Sequence, residues 1–114
     1  MIKTKSVHES REDVDGLRIL VSSYYPKQAE LGFFDLWFPE LGSPLELVKN
    51  WNGQNYIWDT FSERYKLQLQ QTELQSLLET IKKVARNKSV TLIGHSKDGM
   101  KCHRSLLAAY LREY

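Results

Sequence analysis

Two short runs of mainly branched apolar residues restrict the folds open to this chain. They occupy residues 17–21 and 90–93, and long segments with helical spacing separate them. A strand that is apolar at consecutive positions is covered on both faces, which is typical of a parallel sheet. Parallel neighbours also need long crossover connections, which helices supply. The two runs therefore predict neighbouring parallel strands, and the half-polar segment 2–7 predicts a third strand near a sheet edge.

The segments between these strands favour helices. Apolar spacing and capping signals predict helices over residues 29–41, from Pro44 towards Trp51, over 56–70 and over 72–88. Thr72 is expected to cap the last of these, with Gln75 completing a capping box. A final helix is predicted to begin near Asp98 or Gly99. Together the elements predict a small three-layer α/β domain with a mainly parallel central sheet flanked by helices.

Length and composition limit the classes of protein to consider. The 114 residues suit one domain, and a net charge of +2 is too small to indicate a nucleic-acid partner. The chain has one cysteine, which cannot form an internal disulfide and fits a reducing compartment. We find neither a signal-like apolar run at the amino terminus nor a run long enough to span a bilayer. We therefore expect a single cytoplasmic domain, residues 1–114, without a membrane or nucleic-acid partner; the sequence makes no prediction of its oligomeric state.

Most of the reactive side chains follow the strand at residues 90–93. The carboxyl ends of parallel strands share one edge of the sheet, where the loops that follow them meet the amino end of a helix. Donors from helix amides and nearby cations favour a small anionic, phosphate-like ligand in the junction of residues 94–104. The predicted ligand-binding residues are Ser96, Lys97, Lys101, Arg104 and His8.

Three residues of the same junction are candidates for catalysis. Cys102 lies near a predicted helix start and next to cations, which favour the thiolate and hence a nucleophile. His95 or His103 would transfer protons. The alternatives remain that Cys102 is a packed apolar side chain and that His103 is a packed imidazole bonded to a backbone group.

Two further kinds of site fit the sequence less well. His8, His95, Cys102 and His103 match no usual zinc-ligand spacing, so we expect neither a metal nor a cofactor. Gly94-His95-Ser96 is similar to the start of a nucleophile elbow, but Asp98 stands where that motif needs its second glycine.

The order of the motifs resembles a family of small bacterial and archaeal proteins, domain of unknown function 488, and in particular its short, YeaO-like branch. The resemblance covers nearly the whole chain and rests on the opening strand, residues 16–21, Pro26, Glu40, Glu46, Leu47, Trp58, Phe61, Arg64, Tyr65, residues 90–92, Lys97, Asp98 and His103. Residues 22–28 lack the acid and the arginine that usually follow the second strand in that branch. Cys102-His103-Arg104 instead resembles the longer branch. The resemblance implies an α/β domain with a parallel sheet and no established reaction.

Two classes of function follow from these observations. The first is a small enzyme or ligand-binding protein that handles an anionic ligand at residues 94–104. The second is a non-catalytic protein-interaction module, which exposed aromatic side chains around Trp37 or Tyr25 would favour.

Overall fold

A single parallel sheet organises the structure. The computed structural model describes residues 1–7, 9, 11–22, 34–43, 58–94 and 103–113. Within that part of the chain the strands are β1 (Ile2–Ser6), β2 (Leu17–Leu20), β3 (Leu36–Trp37) and β4 (Val90–Gly94). Their order across the sheet is β1–β4–β2–β3, and each neighbouring pair is parallel.

The register confirms the predicted pairing of the two apolar runs. Leu17 lies opposite Val90 and Leu20 lies opposite Ile93, so β2 and β4 are parallel neighbours. β1 lies at an edge of the sheet and pairs with β4, as its half-polar sequence predicts.

In the described part of the chain, three amphipathic helices pack against the sheet. They are α1 (Trp58–Leu69), α2 (Thr72–Asn87) and α3 (His103–Glu113). Each buries residues at helical spacing, and the resulting core contains Phe61, Tyr65, Leu69, Leu74, Leu78, Ile81, Leu107, Ala108 and Leu111, packed with Ile2, Ile19, Val21, Val90 and Leu92 of the sheet. The predicted small three-layer α/β domain with a mainly parallel central sheet flanked by helices is confirmed. Within the described ranges, no helix has the length and apolar character needed to cross a membrane.

The helix predicted over residues 29–41 is wrong for its described part. Residues 36–37 form β3, and Pro39–Leu41 form a 3₁₀ turn. The backbone N–H of Asp35 donates to the carbonyl of Arg18 at 2.7 Å, and that of Phe38 donates to Leu20 at 2.9 Å. This pairing along β2 outweighs a helical spacing already weakened by Pro39. Residues 29–33 and the helix predicted from Pro44 lie outside the described residues.

The capping box predicted at the start of α2 is also wrong. Gln71, not Thr72, occupies the N-cap position, and it makes no side-chain capping bond. The Gln75 side chain donates through Nε2 to the carbonyls of Leu69, at 2.8 Å, and Gln71, at 3.1 Å. The amide nitrogen of Gln75 thus joins the end of α1 to the start of α2, where the capping box would need its oxygen to accept a backbone N–H. The beginning predicted for the final helix, near Asp98, lies outside the described residues.

Candidate functional site

The strands end together at one edge of the sheet. Ser6, the last residue of β1, is level with Gly94, the last residue of β4. One residue further, the N–H of Val7 donates to the carbonyl of Gly94 at 2.8 Å, and the N–H of Val21 donates to that of Ile93 at 3.0 Å. The segments that begin at His8, Ser22 and His95 therefore all leave from this carboxyl edge.

Buried polar side chains concentrate at this edge. Ser6 is the last residue of β1 and Ser22 lies just after β2, and both are buried. The first turn of the described α3 adds His103 and Arg104, which are also buried. Buried polar groups carry a desolvation cost unless they are hydrogen-bonded, so such a concentration is either a structural network or a site.

His103 is bonded to the backbone just beyond β2. Its Nε2 donates to the carbonyl oxygen of Val21, and its ring meets the Tyr65 ring edge-on, with centroids 5.5 Å apart. A carbonyl oxygen can only accept a hydrogen bond, so Nε2 carries a proton in this contact. This is the geometry of a packed imidazole, and the catalytic role of His103 stays a prediction.

Arg104 contacts β1, which lies on the side of β4 opposite to β2. Its Nη1 donates to the carbonyl oxygen of Lys5, near the end of β1. Its aliphatic stem crosses Gly94, where a Cβ atom would lie 2.5 Å from the Arg104 Cδ. His103 and Arg104, adjacent in sequence, thus tie α3 to the strands on both sides of β4.

The other predicted site residues belong to the segments that follow β1 and β4 in the sequence. His8, His95, Ser96, Lys97, Lys101 and Cys102 lie outside the described residues. The chain on either side of them does converge, since Val7 and Gly94 are hydrogen-bonded neighbours. In the part of the chain that the structure describes, no group of His, Cys, Asp and Glu side chains could hold a metal ion.

A buried ion-pair cluster joins Arg18 of β2 to Lys5 of β1 on the face of the sheet opposite to Ile19, and it was not predicted. Arg18 is 0% and Asp15 is 1% exposed, and Arg18 Nη1 binds Asp15 Oδ2. Lys5 Nζ lies 3.0 Å from Asp15 Oδ1 and 2.6 Å from Glu12 Oε1. Arg18 is the sole charged residue in the run 17–21, and a cation inside a run predicted to be buried on both faces requires a buried acid nearby.

The ionisation of Asp15 follows from its surroundings. Burial acts to raise the pKa of Asp15, but hydrogen bonds from the Glu12 backbone, Lys5 and Arg18 outweigh it, so the pKa lies below its usual value. The pKa of Lys5 is raised, chiefly by its hydrogen bond to Glu12. Asp15 and Lys5 therefore both stay charged at neutral pH, and their ion pair holds the turn at Asp13–Asp15 against the sheet.

Parallel strands that end together at one edge, with helices packed against them, define this chain as a small α/β protein. It belongs to the DUF488 family, since the model DUF488-N3a, described as "Active DUF488-N3 subclade", matches residues 2–114. It is similar to "Uncharacterized protein YeaO" of Escherichia coli (strain K12), at 32% identity over 114 residues, which are 97% of this chain and 96% of that protein. No solved structure matches it. The resemblance predicted from the motifs is thereby confirmed.

Proposed function

We propose that this protein binds, and acts on, a small anionic, phosphate-like ligand at the carboxyl edge of its sheet, in the junction of residues 94–104. The observation that carries the proposal is the set of buried polar side chains at that edge: Ser6, Ser22, His103 and Arg104. The word "active" in the description of the matching subclade supports a reaction as well as binding. We assign this function to one domain, residues 1–114, and to the cytoplasm, where a lone cysteine stays reduced.

The charge around the junction favours an anion. Arg104 is anchored at the edge, and Lys97 and Lys101 are close to it in sequence. Ser96 and His8 add donors from two of the segments that leave this edge. The negative charge of Asp98 acts against an anionic ligand, but the cations outnumber it. We therefore expect weak binding, with a dissociation constant of about 1 mM, which is a binding free energy of about 4 kcal/mol.

A reaction at this site would use the three predicted catalytic residues. Cys102 would give its thiol proton to His95 or His103 and attack the phosphorus of an organic phosphate as a thiolate, stabilised by the neighbouring cations Lys101 and Arg104. The bond from phosphorus to the ester oxygen would break, and that oxygen would leave with the proton. For His103 the atom involved would be Nδ1, because Nε2 already donates to Val21.

Phosphate titration followed by amide chemical shifts tests the binding. We expect the amides of Gly94, His103 and Arg104 to shift, with weaker binding as salt is added, because salt screens a partly open site. Lys101→Ala should weaken binding about two- to five-fold, as expected for loss of one cation from a site that water reaches. Lys83→Ala, which removes an exposed cation from α2, is the matched control and should leave binding unchanged. Shifts confined to residues away from this edge would contradict the proposal.

Alkylation of Cys102 against pH tests its role as nucleophile. If the nearby cations stabilise the thiolate, the thiol pKa should lie below the ordinary value of about 8.5. The rate measured in denaturant gives the reference for the unperturbed thiol. A thiol that reacts only after unfolding would make Cys102 a packing residue.

The interaction-module alternative has its own supporting observation. Leu36 and Trp37 are 41% and 37% exposed on β3, which is an edge strand. Exposed apolar side chains on a sheet edge are typical of contact surfaces. The same titration separates the two functions, since a contact surface at β3 predicts no response to phosphate at Gly94 or His103.

A further inference from the structure

A concave region lies at the edge of the sheet opposite the carboxyl edge, where the strands begin. It is a cavity of about 390 Å³ between α2, α3 and the start of β1. Its lining includes the apolar residues Ile2, Ala85 and Leu111 and the cations Lys82, Arg86 and Arg112. This volume is within the range that small ligands occupy in proteins.

The cations have few partners of their own. Lys82 Nζ lies 3.3 Å from Glu79 Oε1, a long contact with a carboxylate that is itself 55% exposed. The Arg86 side chain makes no hydrogen bond or ion pair with any residue that the structure describes. Arg112 donates from Nη2 to the carbonyl of Ile2, which uses one of the five donors of a guanidinium. Glu113 is the carboxylate lining the cavity, and the cations outnumber it.

The ends of the helices explain only part of this arrangement. Arg86 and Arg112 lie in the last turns of α2 and α3, where exposed carbonyls favour a cation. Lys82 lies before the last turn of α2, and its side chain is only 11% exposed, whereas the adjacent Lys83 is exposed. The helix dipole therefore does not account for the position of Lys82, whose charge lies beside the apolar residues that line the cavity.

We propose that this cavity binds a small organic phosphate. The phosphate group would lie among Lys82, Arg86 and Arg112, because guanidinium and ammonium groups form strong charge-assisted hydrogen bonds with phosphate oxygens. An apolar body such as an aromatic ring would pack on Ile2, Ala85 and Leu111. Because two helices contribute three cations, the cavity suits a ligand with a doubly charged phosphate group better than a ligand with one carboxylate. This site is distinct from the carboxyl edge and does not depend on the function proposed there.

Titration with phenyl phosphate, followed by amide chemical shifts, tests this proposal. We expect the amides of Ala85, Arg86 and Leu111 to shift, and inorganic phosphate to bind there more weakly because it has no apolar body. Lys82→Gln should weaken binding about five-fold, as expected when one cation is lost from an open site. Lys83→Gln makes the same change of charge at the next residue, on the exposed surface, and should leave binding unchanged.

The outcomes distinguish this site from the first. Gly94 and His103 report on the carboxyl edge, so a response there alone would overturn the second site and leave the first intact. Equal losses in Lys82→Gln and Lys83→Gln, or equal binding of phenol, would also overturn it, since either shows that no anion is held in the cavity. Arg86→Gln provides a second variant at an exposed position, should Lys82→Gln disturb the fold.

Discussion

Replacement of Asp15 by alanine is expected to lower the free energy of unfolding by about 3–5 kcal/mol, the usual cost of removing one partner from a buried ion pair. The carboxylate is buried and binds both Arg18 and Lys5. Its loss leaves the Arg18 guanidinium, which is inaccessible to water, without that carboxylate. Urea unfolding measures the change.

Asp13→Ala provides the matched control in the same 3₁₀ turn. Asp13 is exposed, so its replacement should change the free energy of unfolding by no more than about 0.5 kcal/mol. Equal losses in the two variants would show that the turn, and not the ion pair, accounts for the effect.

The stabilisation by Asp15 should also depend on pH. Its pKa in the folded protein lies below the ordinary value of 3.8, so its contribution is present above that value and is lost as the pH falls through the folded pKa. The difference in unfolding free energy between wild type and Asp15→Ala should therefore shrink in acid below about pH 4. A difference that stays constant through this range would contradict the assigned ionisation.

Gly94→Ala is expected to disturb both the stability and the candidate site. The new Cβ would lie 2.5 Å from Cδ and 2.8 Å from Nε of Arg104, so the arginine must move from its position against β4. We expect a loss of about 1–3 kcal/mol, typical of overpacking a filled interior. Because Arg104 is then displaced from the carbonyl of Lys5, phosphate binding at this edge should weaken as well.

A double-mutant cycle identifies the cause of this effect. If the collision with Arg104 is responsible, Gly94→Ala should cost much less in an Arg104→Ala background, where the stem is absent. Urea unfolding of the four proteins measures the coupling. Additive losses would show that the glycine is required for a reason unrelated to Arg104.

The hydrophobic pattern is sufficient to place most of the regular elements. The run at residues 90–93 has no polar face except at Thr91, and a strand of that kind has to lie inside a sheet. The stripe through Leu74, Leu78 and Ile81 repeats with the period of a helix, and α2 buries those residues. The same pattern predicts the carboxyl edge, because parallel strands end on the same side of a sheet.

Contacts between distant segments decided the rest. β3 exists because Asp35 and Phe38 bond to the backbone of β2, and no periodicity within residues 34–41 encodes that pairing. Arg104 appeared in the sequence as a cation beside a helix start, whereas the fold carries it across Gly94 to the backbone of Lys5, 99 residues away. Periodicity records which face of an element is buried, but the partner of a buried polar group depends on which segments the fold brings together.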